Sequence, residues 1–302
     1  MADKAINEPL FDEQTLRKLE QLTLVAERVR AGVMKGDRRS RKRGTSLEFA
    51  DYRDYARGDD LRRLDWNVFA RLERPFIKLL EEEEDLAVHL LIDGSGSMDW
   101  PLSDDEHNKF NYARRLAAAL AVIGLAAGDQ VNMAVLRANG NTILGPYRGR
   151  PSAVRAMQLL ASSTAQGVTD LSLALRQYGW RAYRPGLLVL ISDLFSPNGF
   201  QAGLDELQAR GYEVALVQLL SPDEARPAYQ GDVRLVDVET GEDAEISLDH
   251  LTVQRYQQRL DMWQQDTAAY CAKRTIHYIP VVTDISWHVL VMRTMRVHGL
   301  LR

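Results

Sequence analysis

From residue 86 onward the chain alternates short apolar runs with longer segments of helical periodicity, and this alternation constrains the fold more than any other feature. Residues 86–92 and 187–191 are nearly continuous apolar runs, typical of strands that are covered on both faces. Between them, residues 108–127 have the length and composition of a buried helix. We therefore predict an α/β fold with a mostly parallel sheet flanked by helices.

The organisation of the chain changes near residue 85. We predict that residues 1–84 form an N-terminal segment, and that residues 85–302 form the main domain with a β-hairpin inserted near residues 231–249. The N-terminal segment begins with a predicted helix over residues 12–33, whose apolar residues recur at spacings of three and four. Such a stripe must be buried, so we expect this helical and extended segment to pack on the main domain.

Composition excludes several classes of protein. The 302 residues include 38 basic and 42 acidic side chains, and a net charge of −4 argues against nucleic-acid binding over the whole surface. One cysteine, Cys271, excludes an intramolecular disulfide and a cysteine-rich zinc site. The longest apolar stretch, residues 116–127, is shorter than the roughly 20 residues of a membrane span. We expect a cytoplasmic protein.

Polar side chains follow the predicted strands at the points where ligands bind in α/β sheets. Asp93, Ser95 and Ser97 follow the first strand of the main domain as D-x-S-x-S, Thr169 precedes a predicted helix, and Asp193 follows the strand at 187–191. Two carboxylates and three hydroxyls are hard oxygen donors, which suit Mg²⁺, Mn²⁺ or Ca²⁺ rather than Zn²⁺. Hydroxyl ligands would leave the ion much of its charge, so the carboxylate of a partner protein could complete its shell.

These five residues resemble the metal-ion-dependent adhesion site of von Willebrand factor A domains. Residues 48–71, EFADYRDYARGDDLRRLDWNVFAR, are similar to the signature of the bacterial domain of unknown function 58 family, whose members carry an A-type domain after this segment. The hairpin sequence DVETGE at 237–242 is similar to a late insertion of the same family.

The resemblance implies further properties. The sheet would be Rossmann-like, with one antiparallel edge strand near residues 141–144. Ser95 and Ser97 would bind the metal directly, Thr169 directly or through water, and Asp93 and Asp193 mainly through water. Members of the family commonly have genes beside those of MoxR-like AAA ATPases, which implies an adaptor or co-chaperone role. Some members have amino-terminal membrane helices, and we expect this protein to depart from them by having none.

We therefore expect a non-enzymatic, metal-dependent protein-interaction module whose partner offers an acidic side chain, and the resemblance implies that this partner is a MoxR-like AAA ATPase or its client. Two alternatives stay open. One is a Mg²⁺-dependent phosphoryl-transfer or hydrolytic enzyme using Asp93, although Ser95 stands where aspartate-nucleophile phosphatases have a second acid. The other is a nucleic-acid adaptor that uses the basic residues 35–43, whose binding would fall steeply with salt.

Two side chains are predicted to be structural. His89 lies within an apolar strand, which favours a core histidine with satisfied hydrogen bonds. Cys271 lies late in a predicted helix without an evident activating base, so a buried, unreactive thiol is expected.

Overall fold

The computed structural model describes residues 10–26, 48–56, 64–81, 85–181, 183–227, 231–236 and 243–302. The chain divides into two compact units, one formed by residues 1–35 with 86–302 and the other by residues 36–85. The predicted N-terminal segment, residues 1–84, thus contributes to both units, and its assignment as one domain stays a prediction.

The strands and helices of the described residues are numbered in chain order. The strands are β1 (Glu48–Asp54), β2 (Phe76–Glu81), β3 (Ala87–Asp93), β4 (Gln130–Leu136), β5 (Thr142–Tyr147), β6 (Leu187–Ser192), β7 (Glu213–Leu220), β8 (Gly231–Val236), β9 (Asp243–Leu248) and β10 (His277–Val282). The helices are α1 (Glu13–Leu19), α2 (Trp66–Leu72), α3 (Lys109–Ala126), α4 (Ser152–Ala161), α5 (Leu171–Gly179), α6 (Gln201–Ala209), α7 (Pro222–Ala225), α8 (His250–Arg274) and α9 (Trp287–Val289), which continues through a π-turn and a last helical turn to Val297.

The larger unit is built on a six-stranded sheet with the order β10-β7-β6-β3-β4-β5. All neighbouring strands pair in parallel except β4 and β5, which are antiparallel. The predicted α/β class is confirmed, and the antiparallel edge strand lies where it was expected. The predicted hairpin is also present, because β8 and β9 pair in antiparallel register.

Two buried clusters cover the two faces of the sheet, which explains why its strands read as continuous apolar runs. Leu90 and Ile92 of β3 point into the cluster that includes the buried face of α3. Leu91 points into the opposite cluster, which α5 and α6 share with Leu188 of β6. Truncating such a leucine to alanine typically costs about 2–5 kcal/mol of unfolding free energy.

The first helix is shorter than predicted. α1 ends at Leu19, whereas the apolar spacing had indicated a helix over residues 12–33. After the helix the chain becomes extended, and Leu24 forms an antiparallel bridge with Leu301 near the end of the chain. Val25 donates its backbone N–H to the carbonyl of Leu300 at 3.0 Å. Pairing with the last residues replaces helical hydrogen bonds there, and residues 27–33 lie outside the described residues.

The smaller unit contains β1 and β2, which pair in antiparallel register, and the short helix α2. Asp65 begins α2 by accepting hydrogen bonds from the backbone N–H groups of Asn67 and Val68 at 2.9 and 3.2 Å. Across the described ranges of the whole chain, none of the helices combines the length and apolar character needed to cross a bilayer.

His89 is a buried core residue, as predicted. It lies on β3 with its side chain fully enclosed. Its Nδ1 is 2.7 Å from the Tyr178 hydroxyl, and its Nε2 is 3.0 Å from the backbone carbonyl of Arg184. Burial lowers the pKa of His89 from 6.5 to about 4, although the bond to Arg184 opposes the shift. Cys271 is likewise buried, and burial raises the pKa of its thiol to about 12.

The lowered pKa of His89 predicts a pH-dependent contribution to stability. The folded protein binds this proton less readily than the unfolded chain, so the contribution is complete above pH 6.5 and is lost as the pH falls towards 4. Between pH 7 and pH 5 the wild-type protein should lose about 2 kcal/mol more unfolding free energy than His89→Leu. Chemical denaturation of both proteins at the two pH values measures this difference, and equal losses would contradict it.

Candidate metal site

The five predicted site residues meet at the carboxyl edge of the sheet. When these six strands are renumbered 1 to 6 along the chain, their order across the sheet is 6-5-4-1-2-3. The first strand, β3, and the fourth, β6, are therefore neighbours, and the strands that follow each of them are added towards opposite edges of the sheet. Ligands of doubly wound α/β proteins bind in the crevice at such a switch point. Asp93 is the last residue of β3, and Asp193 directly follows β6.

The loop after β3 is held by a tight backbone approach. Gly94 donates its N–H to the carbonyl of Leu136 on the neighbouring strand at 2.9 Å. A Cβ atom at Gly94 would lie 2.6 Å from Cγ1 of Val135, so a larger residue cannot be placed here without movement. The turn then brings Ser95 N–H to 3.0 Å from Oδ1 of Asp93, and the hydroxyls of Ser95 and Ser97 lie 3.0 Å apart.

Backbone hydrogen bonds join the loop that carries Thr169 to the loop after β3. Gln166 donates its N–H to the carbonyl of Gly94 at 2.9 Å, and Gly96 donates to the carbonyl of Gly167 at 2.7 Å. Gly167 has a φ of +74°, a conformation that favours glycine. Thr169 is buried, and its Oγ1 has no hydrogen-bond partner among the described residues.

A strained turn after β6 orients Asp193. The turn places Leu194 at a φ of +65°, an uncommon conformation for a residue with a side chain. It allows Leu194 to donate its N–H to the Ser192 hydroxyl at 2.9 Å and Phe195 to donate to Oδ1 of Asp193 at 3.0 Å. Ser192 in turn donates its hydroxyl to Oδ2 of Asp93 at 2.6 Å, which links the two strand ends.

The two carboxyl groups are deeply buried and repel each other. Asp93 is 2% exposed and Asp193 is fully enclosed. Burial, followed by the negative charge of Asp193, raises the pKa of Asp93 to about 6, although hydrogen bonds from Ser192 and Ser95 oppose the shift. A positive charge placed between these loops would relieve this repulsion.

The sequence-based reasoning missed Lys109, which belongs to the same cluster. Its side chain is fully buried, and Nζ lies 2.8 Å from Oδ2 of Asp193 and 2.5 Å from Oε1 of Glu224. Burial alone would lower the pKa of this amine, but the charges of Asp193 and Glu224 outweigh it and raise the pKa. One signal was available, because Lys109 lies four residues before Ala113 and seven before Leu116, both on the buried face of α3.

The neighbouring acidic residues have other roles. Asp170 caps α5 by accepting the N–H of Leu173 at 2.8 Å, and Asp99 accepts a hydrogen bond from Asn108 at 3.0 Å. Within the described ranges, no three His, Cys, Asp or Glu side chains are grouped as metal ligands usually are. Any cation at this edge would therefore depend on the hydroxyl oxygens of Ser95, Ser97 and Thr169.

The fold and these loops define an α/β protein with a Rossmann-like, mostly parallel sheet and an oxygen-rich cluster at its switch point. Residues 51–266 match the family described as protein of unknown function DUF58. The chain belongs to this family.

Relatives and solved structures are similar over most of the chain. Uncharacterized protein Rv1480 of Mycobacterium tuberculosis and uncharacterized protein Mb1516 of Mycobacterium bovis are each 28% identical over 241 residues, which is 79% of this chain and 75% of theirs. Among solved structures, the conserved hypothetical protein BatB from Bacteroides thetaiotaomicron is 15% identical with a TM-score of 0.42, over 71% of this chain and 98% of that one. An aerotolerance-related membrane protein from Bacteroides fragilis is 18% identical with a TM-score of 0.43, over 70% and 99%.

Proposed function

We propose that this protein is a non-enzymatic, metal-dependent protein-interaction module, whose von Willebrand factor A-like domain holds Mg²⁺ at a metal-ion-dependent adhesion site. The ligand set is Asp93, Ser95, Ser97, Thr169 and Asp193. The observation that carries the proposal is the buried Thr169 hydroxyl, which has no hydrogen-bond partner among the described residues. Leaving such a group unsatisfied costs about 1–3 kcal/mol, and a bound cation would satisfy it.

The hydrogen bonds of the cluster favour different roles for its hydroxyls and carboxylates. Each carboxylate oxygen of Asp93 and Asp193 already accepts a hydrogen bond from the protein. These groups are therefore suited to orient water around a cation, while Ser95, Ser97 and Thr169 supply oxygens for direct bonds. Mn²⁺ or Ca²⁺, which also prefer oxygen ligands, would fit the same set.

The partner follows from the charge that such a site presents. When bound, a divalent cation held by neutral hydroxyls would keep enough positive charge to accept a carboxylate from another protein. We propose that this carboxylate belongs to a MoxR-like AAA ATPase or its client, and that the protein acts as an adaptor or co-chaperone. The single, buried Cys271 suits a reducing compartment, so we place this role in the cytoplasm.

The geometry supports binding over hydrolysis. A nucleophilic aspartate must reach a phosphorus atom, but Asp93 is buried and both its oxygens accept hydrogen bonds, from Ser95 and Ser192. The second alternative, nucleic-acid binding through residues 35–43, concerns a segment that lies outside the described residues.

Thr169→Val tests the proposed role of the unpartnered hydroxyl. Valine keeps the shape of threonine but removes the hydroxyl, so the metal-free protein should gain about 1 kcal/mol of unfolding free energy. The same change should weaken Mn²⁺ binding about tenfold, because one direct ligand is lost, equivalent to about 1.4 kcal/mol. Thermal denaturation and calorimetric titration measure the two effects.

Thr267→Val is the matched control. Thr267 is buried like Thr169, and its hydroxyl donates to the carbonyl of Trp263 at 2.8 Å within α8. This variant should leave Mn²⁺ affinity unchanged. Equal Mn²⁺ affinity in Thr169→Val and the wild-type protein would remove Thr169 from the proposed ligand set.

The partner is tested with a purified MoxR-like ATPase at constant Mg²⁺ concentration. Chelating the metal would also affect nucleotide binding by the ATPase, so wild-type protein is compared with Asp93→Ala instead. Binding that is lost only in the variant supports the proposed function. Equal binding of both proteins would show that the contact does not use this site.

A further inference from the structure

Lys109 is a charged side chain enclosed within the protein. Its ammonium group lies between Asp193 and Glu224, at 2.8 and 2.5 Å, and its side chain has no solvent exposure. The ring of Phe195 covers it, with the ring centroid 5.1 Å from Nζ. Phe195 in turn stacks on Trp263 of α8 at a centroid distance of 5.5 Å. Desolvating an ammonium is costly, so its retention here calls for a specific explanation.

Glu224 is held independently of the candidate metal site. It is the third residue of α7, and its carboxylate accepts the backbone N–H of Ser221 at 2.7 Å, while its own N–H donates to the Ser221 hydroxyl at 3.2 Å. This capping box follows directly from β7. Lys109 therefore connects the carboxylate of Asp193 to the carboxylate of Glu224, which the capping box holds in place.

The charges of the cluster match those of a divalent cation. In their ionised forms, Asp93, Asp193 and Glu224 carry three negative charges, and Lys109 carries one positive charge. The remaining two negative charges equal those that a divalent cation neutralises. The ammonium also donates a hydrogen bond to Oδ2 of Asp193, and the N–H of Phe195 donates one to Oδ1. Because both carboxylate oxygens already accept hydrogen bonds, a direct bond between Asp193 and a cation is disfavoured.

We propose that Lys109 is a positioning residue that limits the affinity of the site for its cation and keeps Asp193 from binding it directly. The inference rests on the proposed metal site and adds its regulation. Lys109 offsets part of the negative charge that the protein's own carboxylates place around the cation. The cation therefore keeps enough positive charge to bind a carboxylate of the partner.

The experiment measures Mn²⁺ affinity by calorimetry for the wild-type protein, Lys109→Met, Glu224→Gln and the double variant. Lys109→Met removes the internal positive charge, so Mn²⁺ should bind about tenfold more tightly or better. Glu224→Gln removes a negative charge and leaves Lys109 paired only with Asp193, so binding should weaken about tenfold. The double variant restores the net charge and should lie within about threefold of the wild type.

The opposite signs separate this role from a purely structural one. If Lys109 only stabilised the loops, both single variants would bind Mn²⁺ as the wild type does or more weakly, and the inference would be overturned. If Lys109→Met does not fold, Glu224→Gln and the double variant still decide the result. A charge effect requires the double variant to bind Mn²⁺ more tightly than Glu224→Gln does.

Asp93→Ala separates failure of the inference from failure of the proposed function. Mn²⁺ binding that is present in the wild type, lost in Asp93→Ala and unchanged in the Lys109 and Glu224 variants overturns only the inference. Identical Mn²⁺ titrations of the wild type and Asp93→Ala, including no binding to either, overturn both.

Discussion

Replacing Asp93 with alanine is expected to reduce the affinity of the protein for Mn²⁺ and Mg²⁺ by about a hundredfold or more, because a unit charge pair at about 4 Å contributes about 4 kcal/mol at an effective dielectric constant of 20. Asp93 also joins the loop after β3 to the end of β6, since it accepts hydrogen bonds from Ser95 in its own loop and from Ser192 on β6. Calorimetric titration of both ions measures the loss.

Asp99→Asn is the matched control for this prediction. Asp99 lies close in sequence, is partly exposed and accepts a hydrogen bond from Asn108, but it is not in the proposed ligand set. Its substitution should leave metal affinity unchanged.

Asp93→Ala should still unfold cooperatively, because the change removes a buried charge that Asp193 repels. Wild-type affinity in this variant would rule out the site.

Replacing Gly186 with alanine should cost at least about 3 kcal/mol of unfolding free energy, since overpacking a buried backbone contact forces the surrounding strands to shift. Gly186 directly precedes β6, and a Cβ atom there would lie 1.8 Å from the backbone carbonyl oxygen of Ala87, the first residue of β3. The obstacle is main chain rather than a flexible side chain. Asp93 is the last residue of β3, and Asp193 directly follows β6. A shift of one strand against the other should therefore also weaken Mn²⁺ binding.

Gly128→Ala is the control for the Gly186 variant. Gly128 has a φ of +89°, but a Cβ atom there would meet nothing within 4 Å. Its replacement should therefore cost only the conformational penalty of about 1–2 kcal/mol and leave Mn²⁺ affinity unchanged. Chemical denaturation compares the two variants, and similar costs would show that the strands accommodate the added methyl group.

Much of the sheet could be predicted from the sequence, because its strands are buried on both faces. Residues 187–191 of β6 place Leu188 and Leu190 on one face and Val189 and Ile191 on the other, so every residue of this strand before Ser192 is apolar. Four of the five proposed ligands, Asp93, Ser95, Ser97 and Asp193, could be chosen for a related reason, whereas Thr169 lies before a helix. In a parallel sheet the carboxyl ends of the strands share one edge, so polar residues that follow apolar strands are brought together whatever the details of packing.

Periodicity was a poorer guide where a distant part of the chain competes with local structure. The apolar spacing beyond Leu19 is compatible with a helix, but Leu24 pairs with Leu301 instead. That contact joins opposite ends of the chain, and its backbone hydrogen bonds replace those that a helix would have formed. No local pattern records such a pairing.

The sequence by itself determined the α/β class, the order of the elements in the sheet and the places of Asp93 and Asp193 at the ends of apolar strands, because these depend on local hydrophobicity and on where strands end. Only the tertiary structure decided that Lys109 faces Asp193 and Glu224, which are 84 and 115 residues away along the chain. It likewise decided that the Thr169 hydroxyl is buried without a partner among the described residues. Both depend on side-chain packing between distant segments, and local sequence patterns do not encode it.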